Sequence, residues 1–185
     1  MNAATAVFEV DPSVEDDRPQ IDFERPEHAN IDWGPFNEIE AGTAPASVYR
    51  PVRFFVDEST ATSWDLYLVS GTLGLFSERS IETIGRPVFR LFHLLPAFLN
   101  DSSYFILMPR DKLDCFDRTS ANVVVFPSNP SRIMQIKRHA FHLNQIADPL
   151  IFCIPDIRGR LFATDSVERA VRQSGLKGIH CKQVF

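Results

Sequence analysis

LGLFSERSIETIG at residues 73–85 returns, altered but recognisable, as RLFATDSVERAV at residues 160–171. At a constant offset of 86, Leu75, Phe76, Ser80, Ile81 and Glu82 match Leu161, Phe162, Ser166, Val167 and Glu168. Each copy follows an apolar run, LYLV in the first and LIFCI in the second, and each leads into a further strand-like stretch. Residues 62–95 and 148–185 therefore read as two related strand, turn, short helix, strand units separated by a β-rich insertion. The period is too long for a solenoid, and two copies are too few for one.

The second copy carries the firmer helix signal. In LFATDSVERAVRQSGLKG, Asp165 reads as the N-cap with Glu168 three residues on, Val167, Ala170 and Val171 share a face, and Gly175 supplies the stop. Elsewhere the apolar segments are short, β-branched or aromatic, and bounded by turn residues. Arg53–Val56, Leu66–Val69, Val88–Leu94, Tyr104–Met108, Asn122–Phe126, Ile133–His139, Leu150–Ile154 and Gly178–Val184 read as strands. The expected class is α+β: one domain, mainly antiparallel sheet with a few short helices, built around two β-β-α-β units.

A chain of 185 residues with 44% hydrophobic and 23% charged content is sized for one domain with a sizeable core. Residues 1–10 show no basic n-region and no apolar h-region, and the apolar stretch 87–99 is broken by Arg90, His93 and Pro96. Cys115, Cys153 and Cys181 are odd in number, widely spaced and without a C-x-x-C. Neither a disulfide framework nor a zinc knuckle follows, and a cytoplasmic location with reduced thiols is expected, with no membrane partner and no cofactor.

Charge divides the chain unevenly. Residues 1–42 hold eleven Asp and Glu against Arg18 and Arg25, or −9, which leaves thirteen acidic and seventeen basic side chains, or +4, in residues 43–185. Phosphates want a basic surface, so the front of the chain is a poor direct ligand for nucleic acid and a good one for a basic protein. Residues 1–45 are read as an acidic interaction arm and residues 46–185 as the α+β domain. Glu15, Asp16, Asp17, Asp22, Glu24, Glu27 and Asp32, interleaved with Trp33 and Phe36, are the candidate contacts. The same aromatics could instead tuck onto the protein's own core.

DKLDCFDRTSANVVV at residues 111–125 looks catalytic at first sight. Its DCFDRTS resembles the loop of Sac-domain phosphoinositide phosphatases, in which a Cys nucleophile stands six residues before the Arg. Here Lys112 occupies that position and Cys115 lies only three residues from Arg118, so the nucleophile is missing. Asp114, Asp117, Thr119 and Ser120 are short side chains able to satisfy nearby backbone N–H groups, with Arg118 as a fork donor to carbonyls or a carboxylate. A structural turn is expected from Asp114, Asp117, Arg118 and Ser120, with no catalytic residue and no metal. The alternative kept open is a small enzyme or metal-binding protein using Asp114, Asp117 and Arg118, or the His139 and His142 pair, whose spacing in a strand would point the rings to opposite faces.

YFILMPRDKLDCFDRTSANV, the SRIMQIKRHAF strand, PLIFCIPDIRGRLFATDSVERAVRQSGLKGIHCKQV and the earlier WDLYLVSGTLGLFSERSIETIG together resemble the immunity protein 11 family of bacterial polymorphic-toxin systems, over residues 62–185. Met108 stands where that family carries a polar Asn, and residues 1–45 have no counterpart in its pattern. The resemblance implies a small cytoplasmic protein that binds a cognate toxin or secreted effector, of contact-dependent or type VI delivery, and occludes its active site without catalysis. A general protein-interaction module is the remaining reading.

Overall fold

The computed structural model of the protein describes residues 2–12, 21, 34–56, 64–69, 73–155, 157 and 159–185. In chain order these form β1 (Asn2–Ala3), β2 (Val7–Pro12), α1 (Gly34–Glu40), β3 (Val52–Phe54), β4 (Leu66–Val69), β5 (Leu73–Ser77), α2 (Glu78–Ile84), β6 (Phe92–Leu99) and β7 (Ser102–Pro109). The second half adds β8 (Asn122–Phe126), β9 (Asn129–Arg138), β10 (Ala147–Asp148), β11 (Ile151–Phe152), β12 (Leu161–Thr164), α3 (Asp165–Ser174) and β13 (Ile179–Gln183). The architecture is a single α+β domain of mainly antiparallel sheets. Val88 and Phe89, read as the start of a strand, lie in a 3-10 turn at Arg86–Phe89, because Pro87 suits a helical first turn and the strand begins only at Phe92.

Two sheets carry the body. One runs β3-β6-β7-β5-β4 and the other β11-β12-β2-β13. The repeat seen in the sequence organises both. In each, two antiparallel strands (β4 with β5, β11 with β12) lead into a helix, and the strand after the helix does not pair with the one before it. A further strand lies between them and is antiparallel to both: β7 in the first sheet and β2 in the second.

The inserted strands differ in where they come from. Strand β7 follows β6 through a tight turn, with Leu99 opposite Ser102, whereas β2 comes from the start of the chain, with Gln183 opposite Phe8. The N-terminal strand thus stands where a hairpin return from β13 would run. Val7 N–H donates to the Phe185 carbonyl at 3.0 Å and Val184 N–H to the Val7 carbonyl at 2.9 Å, which holds the two ends of the described chain together.

This corrects the division at residue 45. Strand β2 is an interior strand paired on both sides, so Val7–Pro12 belongs to the body. An alternating VFEV pattern at the head of an acidic run gave no sign of partners more than 150 residues away. Phe36 is likewise part of the core. It is 3% exposed on α1 and meets Tyr49 edge-on at 5.1 Å, so it does not stand out toward a partner.

Helix α2 begins at Ser77, whose extended backbone places its Oγ to accept from Ser80 N–H at 3.0 Å, and it stops at Gly85, where φ is 96°. Ser80, Ile81 and Ile84 form its buried face. Helix α3 departs from expectation by one residue: Thr164 holds the cap position and Asp165 opens the helix. The caps come from elsewhere. Asp148 Oδ1 accepts from Ser166 N–H at 3.3 Å, while Asp165 Oδ1 accepts from Thr5 N–H at 3.0 Å and so fastens the N-terminal segment to the helix. The ion pairs Glu168–Arg172 at 3.1 Å and Asp165–Arg169 at 3.6 Å line the outer face. Ile81, Ile84, Val167 and Val171 bring both helices into one core cluster with Phe76 and Phe89.

Candidate functional site

The turn at residues 113–121 grows from the base of a long hairpin. Phe116 bridges Phe141, Asp117 N–H donates to the Ala140 carbonyl at 3.0 Å, and His142 N–H donates to the Cys115 carbonyl at 2.8 Å. Phe116 and Phe141 meet edge-on at 5.5 Å above a cluster containing Phe152 and Phe162. Beyond this base the strands continue as β8 and β9, which form a two-stranded sheet of their own.

Asp117 turns the chain. Its Oδ1 accepts from Thr119 N–H at 3.0 Å, Thr119 Oγ–H at 2.6 Å and Ser120 N–H at 3.1 Å. The Thr119 and Ser120 donors hold the carboxyl well below the usual carboxylate range. Arg118 reaches from this turn toward the far end of the hairpin, where Nη2 donates to the Ser131 carbonyl at 3.1 Å. Ser120 contributes its carbonyl, which accepts from Arg138 Nη2 at 2.8 Å. Asp114 is exposed beside this assembly. Asp117, Arg118 and Ser120 are thus brought together around the hairpin's own backbone.

The thiols sit in apolar surroundings. Burial, with the Asp114 charge adding to it, pushes the Cys115 thiol up to about 12, and burial does the same for Cys153 and Cys181. Near pH 7 they carry protons and behave as small hydrophobes. His139 is stacked 6.1 Å from the Phe141 ring, at an interplanar angle of 11°, and edge-on to Phe162. Its Nε2 is buried with no hydrogen-bond partner. Burial lowers its pKa, and the charges of Arg160 and Lys182 act in the same direction against the opposing effect of Glu9. His142 is exposed. Among the described residues no group of three or more His, Cys, Asp or Glu side chains could hold a metal ion.

Glu15, Asp16, Asp17, Asp22, Glu24, Glu27, Asp32 and Trp33 lie outside the described residues. The residues on either side of them are described. Strand β2 precedes them inside the four-stranded sheet, and α1 follows them against β7, with Ile21 buried in the same cluster as Phe36 and Tyr49. What the sequence pattern missed is the shape of β9. Its only buried positions, Ile133 and Ile136, are three apart, a spacing that a regular strand would place on opposite faces. That spacing was the one available signal of an irregular strand.

No family model matches the chain, and no curated protein matches it in sequence. Among the described residues, no helix is long and apolar enough to cross a membrane.

Proposed function

We propose that the protein binds a cognate toxin domain with a basic face and neutralises it by covering its active site. The observation that carries this reading is the charge division of −9 in residues 1–42 against +4 in the remainder. Residues 13–33 hold seven of those carboxylates and two arginines, for a net −5. The stretch is flanked by an interior strand and by a helix docked on the core, so an acidic contact there starts from fixed points. A dense negative field speeds encounter with a basic cleft. The family resemblance of residues 62–185 points the same way. The protein would act in the cytoplasm as a partner of toxin, with no role in membrane or direct nucleic-acid binding.

The enzymatic alternative draws less support. Asp117 spends one carboxylate oxygen on its own turn and Arg118 donates to carbonyls of the same hairpin, which leaves Asp114 as the exposed acid of the set.

The test is co-expression with the C-terminal domain of the neighbouring gene's product, once that domain has been found to arrest growth on its own. Growth should be rescued by the parent chain and lost with E15K/D16K/D17K while the protein remains folded. Rescue by that variant at parental levels would show that the acidic stretch is not the contact. Removal of the whole front of the chain cannot serve as this test, because β2 would be lost with it.

A further inference from the structure

We propose that the outward face of the β8–β9 ribbon is a docking surface for an acidic segment of a partner protein, held by Arg132, Lys137 and Arg138 around Met134. From residue 118 to residue 147 the chain contains four Arg and Lys side chains and not one carboxylate. In a protein whose net charge is −5, such a run is a local reversal of sign.

The backbone turns that run outward. Along the ladder, Asn122, Val123, Val124, Val125 and Phe126 oppose Arg138, Ile136, Gln135, Ile133 and Asn129. Lys137, Met134 and residues 130–132 have nothing opposite them. These irregularities are bulges, which re-aim side chains. A regular strand with Ile133 inward would also send Gln135 and Lys137 toward the core. With the bulges, Ile133 and Ile136 anchor the ribbon on the core, and Arg132, Met134, Gln135, Lys137 and Arg138 are all exposed.

The cations are arranged before any partner arrives. The Arg138 guanidinium donates to the Ser120 carbonyl, and the Arg132 guanidinium lies 5.1 Å over the Phe126 ring. Each arginine is held by a neutral group and keeps further N–H groups of its fork for a carboxylate. Met134, 49% exposed, adds an apolar contact among them, and Met with Arg is a composition enriched at protein interfaces. The chemistry favours an acidic peptide over nucleic acid. A long phosphate backbone would also meet the repulsion of the chain's net charge, and it gives Met134 nothing apolar to cover.

The experiment titrates the isotope-labelled full chain with a short poly-glutamate peptide, and in parallel with an oligo-dT of the same length, following backbone amide shifts. The proposal predicts that the peptide shifts amides within residues 122–138 and that binding weakens as salt rises. R132E/K137E/R138E should bind at least about tenfold more weakly with the remaining amide pattern unchanged. Should that variant fail to fold, K137E alone reverses a charge within a bulge and should still lower affinity. Peptide shifts that fall elsewhere, or undiminished affinity in K137E, would overturn the proposal. Tighter binding of oligo-dT at the ribbon would replace the acidic segment by a nucleic acid.

Discussion

Asp65 and Lys177, 112 residues apart, bond to each other twice: Asp65 N–H donates to the Lys177 carbonyl at 2.8 Å, and Lys177 N–H donates to Asp65 Oδ2 at 2.8 Å. The same carboxylate accepts from Ser77 Oγ–H at 2.6 Å and pairs with Arg79 at 2.9 Å. One buried side chain thereby joins the strand that opens the first repeat, the start of α2 and the turn that leaves α3. Asp65→Ala strands these donors and should cost about 3 kcal/mol in stability, read by urea denaturation. Asp65→Asn retains an acceptor for Ser77 but turns an amide toward part of the set, so its loss should be smaller. A change in the alanine variant of under about 0.5 kcal/mol would mean that the two repeats are not fastened here.

Gly178 follows Lys177 in that turn, with φ of +77° and the Trp64 ring against it: a Cβ placed there would lie 2.5 Å from Trp64 Cε3. Gly178→Ala must accept a left-handed backbone and displace the indole. A loss of about 2 kcal/mol is expected, with a change in tryptophan emission. Gly175→Ala at the end of α3 has a left-handed φ of +63° but open space, and should lose less with emission unchanged.

These two sites also mark how far the sequence could be read. Leu75, Phe76 and Ile81 announce the first repeat and Leu161, Phe162 and Val167 the second, because local pattern agrees with packing there, although Leu75 and Phe162 face different core clusters from the other four. The D-R-T-S turn was legible for the same reason: Asp117 serves donors only two and three residues away. The role of Val7–Pro12 was not, since its pairing depends on β12 and β13 at the other end of the chain. The cap of α3 was misplaced because Asp148, a residue outside the helix, does part of that work. The bulges of β9 leave almost no trace beyond the spacing of Ile133 and Ile136.

His139 should set part of the acid sensitivity. Its pKa is lowered in the fold, so the unfolded chain binds the proton more readily. The stability it permits is fully present above the ordinary histidine value of about 6.5 and declines as pH falls toward the lowered value. His139→Phe removes an unpartnered buried nitrogen from among Phe141 and Phe162 and should flatten the stability profile below about pH 6.5 without loss at pH 8. An unchanged profile would remove His139 from the account.

Asp117→Ala should lower the melting temperature and loosen the hairpin, seen as faster exchange of the Thr119 and Ser120 amides. Because the Asp117 pKa is lowered in the fold, its contribution is complete above about pH 4 and fades as pH falls further. The difference between variant and parent should narrow on strong acidification. Loss of the proposed neutralisation with an unaltered melt and unaltered exchange would instead point to a direct functional role for the carboxylate.

The proposed toxin binding is tested most directly by the association rate of the full chain with the C-terminal domain of the neighbouring gene's product, once that domain has been found toxic on its own, followed across salt concentration. The acidic stretch should steer encounter, so association should slow as salt rises while dissociation changes less. E15K/D16K/D17K moves the chain by six charges and should cut the on-rate by about tenfold at low salt, with the melting temperature unchanged. A folded variant with the parental on-rate and the parental salt dependence would contradict the account and place the contact on another surface.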